Sequence, residues 1–215
     1  MAQAQRNNPT ISTKLPEEVE TCLLKTRFVN LATSNENVPH ISLMNYTYIA
    51  NSPFDAGPII AMTSPPQSRK IHNLQKNPHV ALSAHDWVSP RPLSYGRENS
   101  PEPSALTALL LGINSASLSK ICVTINGTAS LVPAGSEQEK WYKKRHIENN
   151  TFAAEQAANG LASEDAHAAS PDGGKEAYIK AEGVRVLVVK ITGGSTVDWQ
   201  GAEQKWEVRQ LSNGV

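Results

Sequence analysis

The chain has 215 residues, with 20 Lys+Arg against 20 Asp+Glu and a pI near 7.0. That length suits one domain with a substantial core, and the balanced charge supplies no general pull toward nucleic acid or anionic lipid. Cys22 and Cys122 form neither a disulfide framework nor a metal-ligand spacing, no apolar run is long enough to span a bilayer, and the N-terminus MAQAQRNNPTIS has no signal-peptide core, so a cytoplasmic, intracellular setting is expected.

Residues 1–12 are polar and are expected to be flexible. Leu15-Pro16-Glu17-Glu18 starts a helix, with proline and acids in the dipole-favoured first turn. Leu15, Val19, Cys22 and Leu23 line its core face. Arg27 to Thr33 reads as a strand, Ser34 to Asn37 as a hairpin turn, and Pro39 to Ala50 as the returning strand. Asn51 to Gly57 is turn-rich, and Pro58 to Met62 is a short buried strand.

Pro65-Pro66 cannot continue a sheet ladder, because proline has no N–H to donate. Ser68 then offers an N-cap to a helix with Ile71 and Leu74 on one face. Asn77-Pro78 ends that helix, since a residue before proline leaves the helical region. Val80, Leu82 and Ala84 alternate with His79, Ala81 and Ser83 as in a half-buried strand. Arg69 and Lys70 stand in the helix's first turn, where the macrodipole is already positive. They are either solvated cations or, with the free N–H groups and a Ser hydroxyl, an anion clamp. Spacing alone leaves both readings open.

Ser68-Arg69-Lys70, then Leu74, then N-P-x-V-x-L and Trp87, resembles the flavin-phosphate segment of the pyridoxamine 5′-phosphate oxidase-like family. Those proteins are FMN-binding split β-barrels, typically homodimers with the flavin between the two chains. The resemblance implies a mainly β (α+β) fold with a few peripheral helices, FMN as cofactor and a second copy as partner. It puts the FMN phosphate on Ser68, Arg69 and Lys70, beside Thr63 and Ser64. The returning strand would run along the flavin from Ser42 through Asn45 to Thr47. Ser42 and Thr47 stand where the oxidases carry basic residues.

Val88 to Ser119 is rich in Pro, Ser and Asn and reads as a long insertion, with Ala105 to Ile113 a candidate helix within it. Lys120 to Leu131 is a strand with a bend or bulge at Gly127, and resembles the family's V-x-I-x-G-x-A strand. Ser136 to Ile147 is a helix with acids early and Lys143, Lys144 and Arg145 late. In the family this helix reaches toward the substrate, which makes Tyr142, Arg145 and His146 candidates. Asn149 to Gly174, Ala-, Gly- and Ser-rich, should be a flexible loop. The residues from 13 onward thus read as one split-barrel domain with insertions at about 88–119 and 149–176.

Val184 to Ile191 is a strand, Gly193-Gly194 a turn, and Ser195 to Trp199 leads into a last strand over Lys205 to Leu211. The run D-W-Q-G-x-E-x-K-W-E-V-R resembles the family's closing hairpin, which implies flavin contacts for Trp199 and Arg209. Lys205, Glu207 and Arg209 share one face of that strand. The oxidases have an Arg and a His where this chain has Lys205 and Glu207. Lys loses the bidentate fork, and Glu repels a phosphate. The cofactor half of the pattern is kept and the substrate half is not. The reading is an FMN-dependent oxidoreductase of an unidentified small molecule, its catalytic residues unassigned. Its alternatives are a flavin carrier or sensor, or a cofactor-free interaction module. No metal motif, nucleophile elbow, P-loop or dinucleotide loop is present.

Overall fold

The computed structural model describes residues 8–86, 121–150 and 183–209. Among them, nine strands form one sheet: β1 Thr10–Ser12, β2 Phe28–Asn35, β3 Val38–Asn45, β4 Thr47–Ile49, β5 Ile59–Ser64, β6 His79–His85, β7 Ile121–Leu131, β8 Arg185–Asp198 and β9 Glu203–Val208. Three helices accompany it: α1 Glu17–Lys25, α2 Arg69–Lys76 and α3 Glu137–Asn150. The expected mainly β architecture, an open split barrel with peripheral helices, is the one found.

The sheet runs β1-β9-β8-β7-β6-β2-β3, with β4 and β5 branching from β8. Strand β8 makes the branch. One of its edges pairs with β7 throughout, from Asp198↔Ile121 to Leu187↔Leu131. Its other edge pairs with β5 through Lys190↔Ile59 and then with β9 from Gly193↔Glu207. The bulge between Asn126 and Gly127 lies opposite this fork. A bulge adds one residue and sharpens the local twist, which lets one strand serve two sheets.

Alternation then sorts the side chains. Val29, Leu31, Leu82, Val123, Ile125, Leu187, Val189 and Trp206 fill the main core. Ile59, Ala61, Val186 and Val188 point to the other side of β5 and β8, where Val132 and Tyr142 cover them. Helix α1 buries Val19, Cys22 and Leu23 as expected. The Tyr46 hydroxyl closes the end of α1 by donating to Leu23 O at 2.7 Å, and burial raises its pKa to about 12.

Several sequence-derived boundaries change. Thr10–Ser12 is not a flexible tail but strand β1, parallel to β9, because β9 otherwise leaves an open edge. The returning strand splits at Tyr46, where the chain leaves β2 and joins β5. Gly193-Gly194 is not a turn; β8 runs through it to Asp198. A Cβ on Gly194 would lie 2.0 Å from Thr124 O and 2.7 Å from Trp206 Cζ2, so glycine serves close approach within the sheet. The real turn is at 199–202, and β9 occupies Glu203–Val208. Helix α3 extends into Asn149 and Asn150, which were expected to begin a loop. Residues 1–7, Trp87, the remaining insertion residues, Lys120 and 210–215 lie outside the described residues.

Gly194→Ala should therefore destabilise the protein by about 3 kcal/mol, the upper range for overpacking. Ser195→Ala, its neighbour, should stay within about 0.5 kcal/mol. Urea unfolding of the two variants checks the contrast.

Candidate functional site

Strand β5 ends at the buried Ser64, the Pro65-Pro66 turn follows, and Ser68 occupies the N-cap position of α2 with φ −71° and ψ 149°. Its hydroxyl does not cap. It lies 2.9 Å from Ser64 Oγ, and Lys70 Nζ donates to the same Ser64 oxygen at 3.3 Å. Arg69 is exposed, with no ion pair among the described residues, and α2 has no acid in its first turn. Helix α3 shows the opposite arrangement. Ser136 Oγ accepts from Glu139 N at 3.1 Å, and Glu139 Oε2 accepts from Gly135 N at 2.7 Å. This pairing caps the Glu139 amide in the first turn of α3 and ties down the Gly135 amide just before it, whereas α2 has no side-chain cap and holds two cations and a pair of hydroxyls at one corner.

That corner is held in place from behind. Ile71 and Leu74 are buried, Asn73 Nδ2 donates to Thr33 Oγ1 at 3.1 Å, and Asn77 Nδ2 donates to Ser34 Oγ at 3.0 Å. The anchoring role of Asn73 was not legible from the sequence, where an Asn inside a helix carries no marker of its partner.

Ser64, Ser68 and Lys70 thus meet through hydrogen bonds, with Arg69 beside them in the first turn of α2 and Thr63 preceding Ser64 on β5. Ser42 and Asn45 sit on β3; Ser42 Oγ is 3.1 Å from His40 Nε2, and Asn45 Oδ1 is buried without a hydrogen-bond partner. Beyond them the last turn of α3 meets β4. Thr47 Oγ1 and Asn150 Nδ2 reach His146 Nδ1 at 3.0 and 3.3 Å. Thr47 pairs with Ala61, three residues from Ser64, or roughly 10 Å along β5. Burial pushes His146 down to about 4, so its imidazole is neutral near pH 7.

The two other α3 candidates turn elsewhere. Tyr142 is fully buried; its hydroxyl donates to Asp55 Oδ2 at 2.5 Å and lies 2.6 Å from Ser52 Oγ. Burial first, then the Asp55 hydrogen bond, raise its pKa to about 12. Asp55 is in turn paired with Lys190 at 3.1 Å. Arg145 stacks on Trp141 at 5.3 Å and pairs with Glu148 at 3.4 Å. Both side chains thus have partners within the fold, Tyr142 in the second core and Arg145 on the surface of α3.

Lys205, Glu207 and Arg209 are exposed on and just after β9, and Trp199 is 65% exposed in the β8–β9 turn. Ser64 pairs with Arg185 at the start of β8, whereas Trp199 follows its last residue, Asp198. Thirteen residue steps of strand, roughly 40 Å of contour, separate those two levels. One chain does not bring Trp199 to α2. Among the described residues no cluster of three His, Cys, Asp or Glu could hold a metal, and no helix is long and apolar enough to cross a membrane.

Comparison with known proteins adds the following. The family model described as pyridoxamine 5′-phosphate oxidase matches residues 15–190. A pyridoxamine 5′-phosphate oxidase homolog of Schizosaccharomyces pombe is 28% identical over 202 residues, 92% of this chain and 93% of that protein. In solved structures, Campylobacter jejuni ChuZ superposes with TM-score 0.53 at 14% identity, covering 89% of this chain and 58% of that one. A heme binding protein from Mycobacterium smegmatis gives TM-score 0.53 at 16% identity, covering 89% and 57%. This chain spans less than three fifths of either, and at such identity the likeness is one of fold.

The buried imidazole gives a pH prediction. The unfolded chain takes up a proton on His146 near pH 6.5, and the folded chain only near 4. Its contribution to stability is thus intact above pH 6.5 and is lost as pH falls toward 4, by on the order of 3 kcal/mol. Urea titrations from pH 7.5 to 4 should show this slope in the wild type and a shallower one in His146→Gln.

Proposed function

The chain belongs to the pyridoxamine 5′-phosphate oxidase family, and from that premise we propose that it is an FMN-binding flavoprotein, a homodimeric oxidoreductase acting on a small molecule other than pyridoxamine 5′-phosphate. The observation that carries the reading is the open N-terminus of α2. Its uncapped amides, Arg69, Lys70 and the Ser64–Ser68 hydroxyl pair form an anion site of the kind a terminal phosphate fills. Cations at a helix N-terminus cost stability without an anion and gain it with one. Thr63 borders the same corner. Ser42 and Asn45 would continue it along β3, where the buried Asn45 Oδ1 has an unused lone pair for a ligand N–H or O–H.

Bound there, FMN would supply the electron-accepting ring, and the protein's part is to hold and orient it. Trp199 and Arg209 belong to this reading only through a second chain, because one chain keeps Trp199 distant from α2. An apolar surface suited to a second copy supports that assembly. Phe28, Ile41 and Leu43 share one face of β2 and β3 and are 44%, 67% and 66% exposed.

The heme-binding neighbour stands for a different ligand, and the absorption spectrum of the purified protein separates the two. Flavin bands are expected; a Soret band in their place would overturn the reading. Arg69→Ala with Lys70→Ala should weaken FMN binding by about 3 kcal/mol or more, two charge-assisted contacts at roughly 1.5–3 each. Fluorescence titration of the apoprotein measures it, and an unchanged affinity in the double variant would falsify the clamp. Light scattering should report a dimer at micromolar concentration; a monomer would remove Trp199 and Arg209 from the site.

Turnover of pyridoxamine 5′-phosphate should be poor. Lys205 lacks the bidentate fork, and Glu207 sets a like charge beside the phosphate. Aldehyde formation by FMN-loaded protein should be near background in the wild type and rise in Lys205→Arg, Glu207→His. Robust wild-type turnover would show that the final strand does not discriminate against phosphate.

A further inference from the structure

On the outer face of the sheet, a groove of about 550 Å³ crosses β7, β8 and β9. Its floor is a cross-strand row, Asn126↔Gly193↔Glu207. Gly193 has no side chain to fill it, and none fits: a Cβ there would stand 2.7 Å from Trp206 O and 3.4 Å from Glu207 Cγ. Pro9, which precedes the Thr10↔Trp206 pair and so lies at the Lys205 end, also lines it, and the lining is charged at two points. Lys205 and Glu207 lie two residues apart on one face, roughly 7 Å along the strand. Neither forms an ion pair or hydrogen bond among the described residues, with each other or with anything else. Two opposite, unspent charges on one face of β9, with the floor bared at Gly193 beside Glu207, form a dipolar cleft.

We propose that this groove binds a small zwitterion, an amino acid or a related amino-carboxylate. Its ammonium group would sit between Glu207 and the Asn126 carboxamide, and its anionic end would lie on Lys205. A single-sign ligand fits less well. A phosphate gains one ammonium and meets one carboxylate at the same distance scale, so attraction and repulsion nearly cancel. A zwitterion satisfies both ends at once. The inference deepens the functional reading above by naming the substrate class of its final strand. Its role in turnover rests on that reading, but binding to the groove does not require FMN.

The probes are glycine, β-alanine and 4-aminobutanoate, with butylamine and orthophosphate as single-charge controls. Titration of ¹⁵N-labelled protein should move the Gly193 and Asn126 amides saturably with at least one amino-carboxylate, and at higher concentration with either control. Glu207→Gln and Lys205→Met should each weaken that binding about fivefold, the value of one partly exposed charge pair. The charge exchange Lys205→Glu, Glu207→Lys should restore it, because a zwitterion can bind reversed. Arg69→Ala, Lys70→Ala should bind the probe as the wild type does, so a failed flavin clamp and a failed groove are told apart. The proposal is overturned by no saturable shift at these amides, by orthophosphate binding more tightly than every amino-carboxylate, or by single variants that bind like the wild type.

Discussion

The fold depends on one strand with an edge shared by two partners. Strand β8 gives β5 its first half and β9 its second, while β7 runs along the opposite edge. Such a fork works only where backbones pack without side chains between them. A Cβ on Gly127 would lie 2.5 Å from Lys190 O, and one on Gly194 would lie 2.0 Å from Thr124 O. These glycines lose entropy on folding and contribute no apolar area of their own, but they let Trp206 pack against the sheet with 3% of its surface exposed. The same bareness at Gly193 leaves the groove on the outer face.

The fork also distributes the chemistry. At one end of β8, opposite Arg185, stands the corner of Ser64, Ser68, Arg69 and Lys70. At the other stands Trp199 in its turn, with the charged face of β9 alongside. Helix α2 is anchored through Asn73 and Asn77 yet left open at its N-terminus, whereas α3 is capped by its own Ser136 and Glu139. One helix is closed by a capping pair, and the other carries two cations at an uncapped end.

Helix α3 shows how polar side chains become structural. Glu139 and Lys143 form an ion pair at 3.5 Å with side chains only 7% and 4% exposed. Its worth lies in geometry, since desolvation offsets much of the attraction while loss of either partner would strand a buried charge. Tyr142, held by Ser52 and Asp55, belongs to the same packing. The helix therefore closes the second core under β5 and β8, and its last turn brings the neutral His146 to Thr47.

Much of this was readable along the chain because the signals are local. Period-two alternation in Val80–Ala84, the Pro65-Pro66 break, the stop at Asn77-Pro78 and the bulge at Gly127 each depend on a few adjacent residues, and each recurs in the structure. The SRK corner was legible for the same reason: Ser64 to Lys70 lie within seven residues, so chain geometry alone brings them together. What the sequence did not determine is long-range. Gly193-Gly194 looks like a turn until Trp206 arrives from β9, and nothing beside Tyr142 in the chain announces that Ser52 and Asp55 will meet its hydroxyl. Thr10–Ser12 becomes a strand only because β9 offers it an edge. Local propensity settles what a segment can be; the partners that burial and hydrogen bonding bring from far along the chain decide what it is.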